Sequence, residues 1–278
     1  MISIEGKTIL ITGATDGLGK EVARRALQAG GHVLVHGRNK QKGEDVVSEL
    51  MKKTGRDTLK YYNADFNSLQ QVKNLSQQIL SEHKKIDILI NNTAIGGGPK
   101  GNTERALSED GCELRFAVNH LAHFLLTQNL LPVIKQSVPS RIVHISSIGQ
   151  APLDFDDIMM EKKFDSYTAY CRSKLAQIMY GFELAEKLNG KGVNVNSLHP
   201  ATLMDTNMVH DYFGRVTSTI DEGADVVDYV SFSKETESIS GAYFNQKREA
   251  KANAQAYDKE ARKKLWQISE DLVRPFIL

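Results

Sequence analysis

Cysteine is scarce in this sequence: Cys112 and Cys171 are the only two among 278 residues, and they form no close motif. A disulfide-stapled scaffold is excluded, and a reducing compartment is the default for such a chain. Long apolar runs are missing as well, so no transmembrane helix is expected. The stretch Met1-Ile2-Ser3-Ile4-Glu5-Gly6-Lys7 has none of the apolar core of a secretion signal. Neither charge sign dominates. The 35 Lys+Arg and 34 Asp+Glu leave a net charge of +1, with no basic stripe and no acidic tail, so nucleic acid is not an expected partner. There is no internal repeat, low-complexity segment or linker. Together these absences predict a soluble, cytoplasmic protein with one domain over residues 1–278, long enough to bury about three quarters of its unfolded surface.

What the sequence does contain is an alternation of short apolar runs and helical patterns. Strands are predicted at 7–12, 32–36, 58–63, 86–90, 141–145 and 192–198, with a short last strand near 240–244. Helices are predicted at 21–29, 41–53, 68–83, 167–188 and 221–232. A long helix opens at Ser108-Glu109-Asp110 and ends near 136, and a terminal amphipathic helix at 254–273 carries the lone Trp266. Such alternation implies an α/β fold, a doubly wound parallel sheet of the Rossmann type.

The first strand runs into Gly13-Ala14-Thr15-Asp16-Gly17-Leu18-Gly19, followed by a helix. Glycines between a strand and a helix permit a tight turn and close backbone approach, and a helix N-terminus favours a pyrophosphate. The spacing is G-x-x-x-G-x-G rather than G-x-G-x-x-G, and a plain loop is the alternative. At the end of the second strand, His36-Gly37-Arg38-Asn39-Lys40 lacks the acid that holds a ribose 2′-hydroxyl in NAD-binding units. Arg38 and Lys40 instead suit a 2′-phosphate, which favours NADP(H) over NAD(H). The same cations also suit the solvated start of a helix.

Tyr170 and Lys174 are four residues apart in a helical pattern, so they share one face. A phenol of pKa about 10 is a poor proton carrier at neutral pH. A cation about 4 Å away, at an effective dielectric of about 20, supplies roughly the 4 kcal/mol needed to bring it into range. The pattern alone is short and also fits an ordinary helix face. Polar groups stand at the ends of other predicted strands: Asn91 and Asn92 after the fourth, Ser146 and Ser147 after the fifth. Those ends are where open α/β sheets bind ligands. His120 and His123 have helical spacing for a metal pair, but no Cys or carboxylate completes a set, so no metal is expected.

Four motifs in order make the chain resemble the short-chain dehydrogenase/reductase family over nearly its whole length. They are Thr12 to Gly19, Asn91-Asn92-Thr93-Ala94, Ser146-Ser147 and Tyr170-Cys171-Arg172-Ser173-Lys174. Thr93 and Ala94 depart from the family's Asn-Asn-Ala-Gly. The resemblance implies a catalytic tetrad of Asn119, Ser147, Tyr170 and Lys174. Tyr170 would exchange the proton, Ser147 would hold the substrate oxygen, Lys174 would lower the phenol pKa and bind the nicotinamide ribose, and Asn119 would hold a water. It implies cofactor contacts from Gly13, Thr15, Asp16, Gly17, Leu18, Gly19, Arg38, Asn39, Lys40, Asp65, Phe66, Asn92, Tyr170, Lys174, Pro200 and Thr206, although Ala201 replaces the usual Gly.

The long interval from Ser147 to Tyr170, together with Asp154-Phe155-Asp156-Asp157 and Leu265-Trp266-Gln267-Ile268-Ser269, resembles the retinol-dehydrogenase-like branch. That branch usually prefers NADP(H). Many of its animal members carry a membrane anchor, and no such run is seen here. The family also implies homodimers formed through the long helices ending near Gln136 and Leu188.

The function expected is therefore NADP(H)-dependent interconversion of an alcohol and a carbonyl compound. Residues 94–104, 150–166 and 203–219 would line the substrate. Phe155, Met159, Met160, Met204, Met208 and Phe213 suit a lipophilic pocket and suit packing equally well. The alternative is a catalytically silent nucleotide-binding scaffold on the same fold. Nucleotide-sugar epimerases share Tyr-x-x-x-Lys, but they use another glycine spacing and a larger C-terminal half.

Overall fold

The computed structural model describes residues 2–98 and 104–278, apart from the side chain of Phe213. Part of the 94–104 segment, and the Phe213 side chain as a pocket residue, thus lie outside the described residues. Among those described, one sheet has the order β3-β2-β1-β4-β5-β6-β7-β8. The strands are β1 (Thr8–Ile11), β2 (His32–Gly37), β3 (Leu59–Asn63), β4 (Ile88–Asn91), β5 (Ser140–Ile145), β6 (Val193–His199), β7 (Tyr243–Asn245) and β8 (Arg248–Ala250). Pairing is parallel from β3 to β7, and β8 returns antiparallel on β7. The β8 hairpin strand was not legible in the sequence. It is three residues long, two of them charged, and at the sheet edge, so no apolar period marks it.

Alternation of side chains along the strands splits the core in two. Leu10, Leu34, Leu89 and Ile142 face α3 (Leu69–Glu82), the stretch from α4 (Leu114–Phe116) through a π-helical turn at Ala117–Leu121 into α5 (Ala122–Lys135), and α6 (Ser166–Lys187). Ile9, Ile11, Val33, Val35 and Val143 face α1 (Gly17–Gln28), α2 (Lys40–Thr54) and, beyond the short α7 (Asn207–Phe213), α8 (Ile220–Phe232). No described helix is long and apolar enough to cross a membrane.

Three boundaries differ from those read in the sequence. The helix α1 begins at Gly17, because the Asp16 carboxylate caps it by accepting from the Gly17 N–H at 2.8 Å. The long helix does not open at Ser108-Glu109-Asp110. Gly111 there has φ +78°, Ser108 Oγ accepts from Cys112 N, and the helix starts at Leu114 under the Glu113 cap. The Asp110 carboxylate is spent elsewhere, accepting from Leu69 N at 2.8 Å at the start of α3, whose own Ser68 makes no side-chain cap bond. The terminal helix, α9 (Lys259–Val273), begins after a 3-10 turn at Ala254–Tyr257, where Asp258 accepts from Glu260 N and Ala261 N.

The helix α9 covers the outer side of α5 and α6. Trp266 rests on Phe124 and Tyr180 with ring centroids 5.1 and 5.7 Å away, and the Lys187 ammonium lies 4.6 Å from its ring centroid. Arg262 donates to Glu183 and Glu186 of α6 at 3.2 and 2.6 Å. A dimer through α5 and α6, as the resemblance implies, has α9 on that face. His120 points toward this layer, its Nε2 2.7 Å from Ser269 Oγ, while His123 points toward the sheet. The two histidines thus have separate partners and do not converge on a common ligand.

Two outcomes are expected from this packing. Asp110→Ala removes a cap supplied across the chain and lowers stability by about 1 kcal/mol; an unchanged denaturant midpoint would show that Asp110 does not hold α3. Second, burial depresses the imidazoles of His36 and His199 to about 4, those of His120 and His144 to about 3, and that of His123 well below its ordinary value. In the unfolded chain they protonate near 6.5, so below that pH the unfolded state binds more protons. Stability is whole above pH 6.5 and falls toward pH 4 by roughly 1.4 kcal/mol per pH unit for each histidine. Urea midpoints at pH 7, 6 and 5 should fall steeply, and a flat series would contradict the burial of these rings.

Candidate active site

The ends of β1, β4, β5 and β6 converge where the strand order reverses between β1 and β4, the crevice open α/β sheets use for ligands. The glycine-rich loop lies there. Gly17 adopts φ +46°, and a Cβ on Gly19 would come within 2.4 Å of Gly13 O and 2.5 Å of Asn92 Nδ2. No larger residue fits at Gly19, so the first turn of α1 lies directly on the loop backbone, which forms a cradle of the kind a pyrophosphate needs.

Three side chains hold that loop from beneath. Asn92 Nδ2 donates to the Thr12 and Gly13 carbonyls at 2.8 and 3.1 Å. Thr12 Oγ1 accepts from the Asn92 and Thr93 amides at 2.8 and 3.0 Å. His36 accepts from Gly13 N on Nδ1, at 3.3 Å, and donates from Nε2 to Ala64 O at 3.0 Å, a neutral tautomer consistent with its depressed pKa. Its ring stacks on Phe66 at 4.3 Å. Phe66 is therefore turned into the core, its side chain buried. Asp16 bridges elements: its carboxylate accepts from Lys42 of α2 and, at 2.7 Å, from Asn207 of α7. Burial pushes its carboxyl up, but the Lys42 ammonium, the Gly17 N–H and the Asn207 amide outweigh this and hold it below its usual range.

Arg38 is exposed at the end of β2, Asn39 caps α2 by accepting from Lys42 N, and Lys40 lies 3.9 Å from Glu44 within α2. Asp65 follows β3, its carboxylate accepting from Asn67 N. Thr15 lies over Gly37, and Leu18 packs toward α8. Thr206 caps α7 with its methyl against Gly17, and Pro200 follows β6.

The four tetrad positions come together beyond β5. Tyr170 is half-buried, and burial pushes its phenol up to about 12 against a hydrogen bond with Ser147 that lowers it. Ser147 is the serine that meets Tyr170. Ser146 instead donates to the Lys174 carbonyl at 2.8 Å. The Ser147 backbone is pinned because its carbonyl accepts from Tyr243 Oη and Gln150 Nε2, each at 3.0 Å. Lys174 is 2% exposed, and burial brings its ammonium down to about 7. Its Nζ lies 5.9 Å from the Tyr170 ring centroid and donates to Ile145 O at 2.8 Å and Gln177 Oε1 at 2.9 Å. In this arrangement the Tyr170 shift is set by burial, opposed by the Ser147 hydrogen bond.

Asn119 sits on the π-helical turn and is fully buried. Its Oδ1 accepts from Ile95 N at 2.8 Å, while Nδ2 donates to Ile95 O and Ser173 Oγ at 3.1 and 2.9 Å. The Asn119 side chain thus fixes the start of the 95–98 loop. Arg115 holds the same loop, donating to Gly96 O at 3.1 Å and pairing with buried Glu113 at 3.3 Å.

On the substrate side, Gly96 lies against Tyr212 and Met208 of α7, and Gly97 against Tyr167 of α6. Phe155 and Met159, both partly buried, and buried Met160 pack against the core on one face, and partly buried Met204 packs on the other against Gly223. Segment 150–166 is tied down. Gln150 Oε1 accepts from Asn253 N at 2.7 Å, and the Gln255 amide brackets Leu153 at 2.7 and 2.9 Å. Gln177 escaped the sequence reading, and Thr12, His36 and His123 entered it only as a motif's first residue, a strand end and a metal pair set aside, not as supports of the site. Most of their partners are tens of residues distant, and each alone reads as an ordinary buried polar group; the local signal was that they sit at strand ends or one turn from a named site residue.

Known proteins agree with this geometry. The family model described as short chain dehydrogenase matches residues 7–215. Retinol dehydrogenase 13 of Mus musculus is 34% identical over 98% of this chain and 85% of its own length. Retinol dehydrogenase 14 of Homo sapiens is 37% identical over 97% and 87%. Among solved structures, an uncharacterized protein from Mycobacterium Paratuberculosis superposes with a TM-score of 0.80 at 26% identity, over 99% of this chain and 96% of that one. A 3-ketoacyl-(acyl-carrier-protein) reductase from Brucella melitensis, complexed with NADH, shares the fold with a TM-score of 0.70 at 24% identity, over 87% and 97%. By sequence and fold alike, the chain belongs to the short-chain dehydrogenase family of oxidoreductases, in its retinol-dehydrogenase-like branch.

Proposed function

We propose that the protein is an NADP(H)-dependent oxidoreductase that interconverts an alcohol and an aldehyde or ketone, with Tyr170 as the general acid/base. The observation that carries this reading is the Ser147–Tyr170 pair beside the buried Lys174 at the strand ends. A phenol there can give a proton to a carbonyl oxygen, or take one from an alcohol, while Ser147 Oγ donates a hydrogen bond to the same oxygen. Lys174, when charged, favours the phenolate and so eases that transfer. When bound, the nicotinamide carries the hydride, and the protein supplies orientation and exclusion of water.

The residues present fit a phosphorylated dinucleotide. The close-packed Gly13–Gly19 loop is a phosphate cradle, and the end of β2 offers Arg38, Asn39 and Lys40 with no carboxylate among them. A guanidinium there attracts a 2′-phosphate that a carboxylate would repel. Tyr167, Met208 and Tyr212 beside the 95–98 loop support a lipophilic substrate, and two relatives carry the name retinol dehydrogenase. Both cysteines are free and buried, which supports a reducing, cytoplasmic site of action.

Tyr170→Phe should lower kcat for carbonyl reduction with NADPH by about 10²–10⁴-fold while the Kd for NADPH holds. Undiminished turnover would remove Tyr170 from the chemistry, and NADPH binding without turnover of any aldehyde or ketone by the wild type would favour a silent scaffold. Arg38→Asp should weaken NADPH by about 10–100-fold, the worth of a charge-assisted hydrogen bond, and leave NADH nearly unchanged. Equal losses for both would show that Arg38 does not read the 2′-phosphate.

A further inference from the structure

Ser147 is held by more than its own strand. Its carbonyl accepts from Tyr243 Oη and from Gln150 Nε2, each at 3.0 Å, so both lone pairs are filled. Its Oγ accepts from Gly149 N at 3.0 Å. Carbonyl and hydroxyl hang from one Cα, so these contacts together fix where the hydroxyl stands. That hydroxyl also bonds Tyr170. The bond lowers the phenol, so it favours the phenolate, and Ser147 is its donor.

The two groups on the carbonyl have matched partners of their own. Tyr243 is on β7, 3% exposed, and 96 residues along the chain from Ser147. Gln150 opens the 150–166 segment, and its orientation is set by a third stretch. Asn253 N can only donate, and Gln150 Oε1 accepts from it at 2.7 Å. The Gln150 NH2 therefore faces Ser147 O, and it bonds Tyr243 Oη as well. With that amide donating to it, the Tyr243 hydroxyl keeps its own hydrogen for Ser147 O. Tyr243 and Asn253 lie beyond residues 7–215, the stretch that the family model matches.

We propose that Tyr243 and Gln150 are positioning residues that hold Ser147 as a fixed hydrogen-bond donor at the reaction centre, with Asn253 setting the Gln150 amide. The inference rests on the reading of Ser147 and Tyr170 as the catalytic pair. Both residues act through Ser147 rather than on the substrate oxygen. A donor serves the transition state when it is already aimed at the place where charge develops on that oxygen. Misplacement by about 1 Å costs up to about 10²-fold in rate. Removing either group leaves the carbonyl on a single donor and lets the Ser147 backbone drift.

The titratable groups facing Tyr170 are Lys174, Tyr167 and Cys171 on its own helix and Tyr243 from β7. Burial pushes the Tyr243 phenol up to about 12, so it is neutral over the working range and its removal changes no charge beside Tyr170. A shift of Tyr170 in Tyr243→Phe thus comes through Ser147.

The test uses the full chain with NADPH and straight-chain aldehydes of increasing length, and with NADP+ and the matching alcohols. Tyr243→Phe and Gln150→Leu should each lower kcat by about 10-fold and leave the Kd for NADPH unchanged. Each should also move the acidic limb of alcohol oxidation, where the phenolate is the base, to higher pH by about half a unit. In a Ser147→Ala background the same two changes should lower kcat no further, because the hydroxyl they position is gone. Equal losses with and without Ser147, in step with the melting temperature, would make both residues packing groups and overturn the proposal. Wild-type kcat and an unmoved limb in both single variants would overturn it too. Gln150 is half-buried, so Gln150→Leu carries the test if Tyr243→Phe does not fold. If the wild type turns over none of the aldehydes, or if Ser147→Ala and Tyr170→Phe both keep full turnover, the catalytic reading fails and this inference falls with it. If Ser147→Ala loses turnover while Tyr243→Phe and Gln150→Leu do not, this inference alone fails.

Discussion

Taking a lysine ammonium out of water is the most demanding thing this fold does. An uncompensated buried charge costs several kcal/mol, and Lys174 has no carboxylate at hydrogen-bond distance among the described residues; its Nζ donates to the Ile145 carbonyl and the Gln177 amide oxygen. Neutral dipoles stabilise an ammonium less than an anion does, which is why its pKa falls to about 7. The neighbourhood is organised around that compromise. β5 ends where its last carbonyl can accept, Ser146 ties the Lys174 backbone to the strand, and α6 is buried along most of its length so that the amine cannot escape to solvent.

The same constraint explains which parts of the molecule were legible in the sequence. The parallel strands from β1 to β6 are apolar runs in regular alternation with helices, and a one-dimensional pattern is enough to place them. Tyr170 and Lys174 share a helix, so their proximity follows from spacing alone. Ser147 and Asn119 were named only because the motifs stand in a familiar order, and the geometry then separated Ser147 from Ser146 by where each hydroxyl goes. Spacing could not convey cost. It suggested that Lys174 lowers the Tyr170 phenol, whereas desolvation of both groups opposes that effect, and desolvation depends on what the rest of the chain piles on top.

Less was legible where the chain is held by distant partners. Asp110 reads as a helix start and instead caps α3 across 41 residues. Asn119 reads as a solitary polar residue in a helix and instead mimics a strand edge for Ile95. Segment 150–166 has mixed polarity and no period, because contacts with Asn253 and Gln255 decide its path. Apolar residues there and at Met204 pack against the two cores while staying partly exposed, an arrangement composition cannot foretell.

That last attachment also gives the molecule an order in time. The glycine-rich loop and its supports from β1, β2 and β4 all lie within the first third of the chain. The 150–166 segment reaches its final path only when residues 253–255 arrive to bracket it, and α9 must then close over α5 and α6. During synthesis from the N-terminus, at roughly 5–20 residues per second, the glycine-rich loop has its supports from beneath in hand for several seconds before the substrate side can be walled. A nascent chain that has not yet released its C-terminal helix is thus a half-built site, with its most apolar helices still facing water.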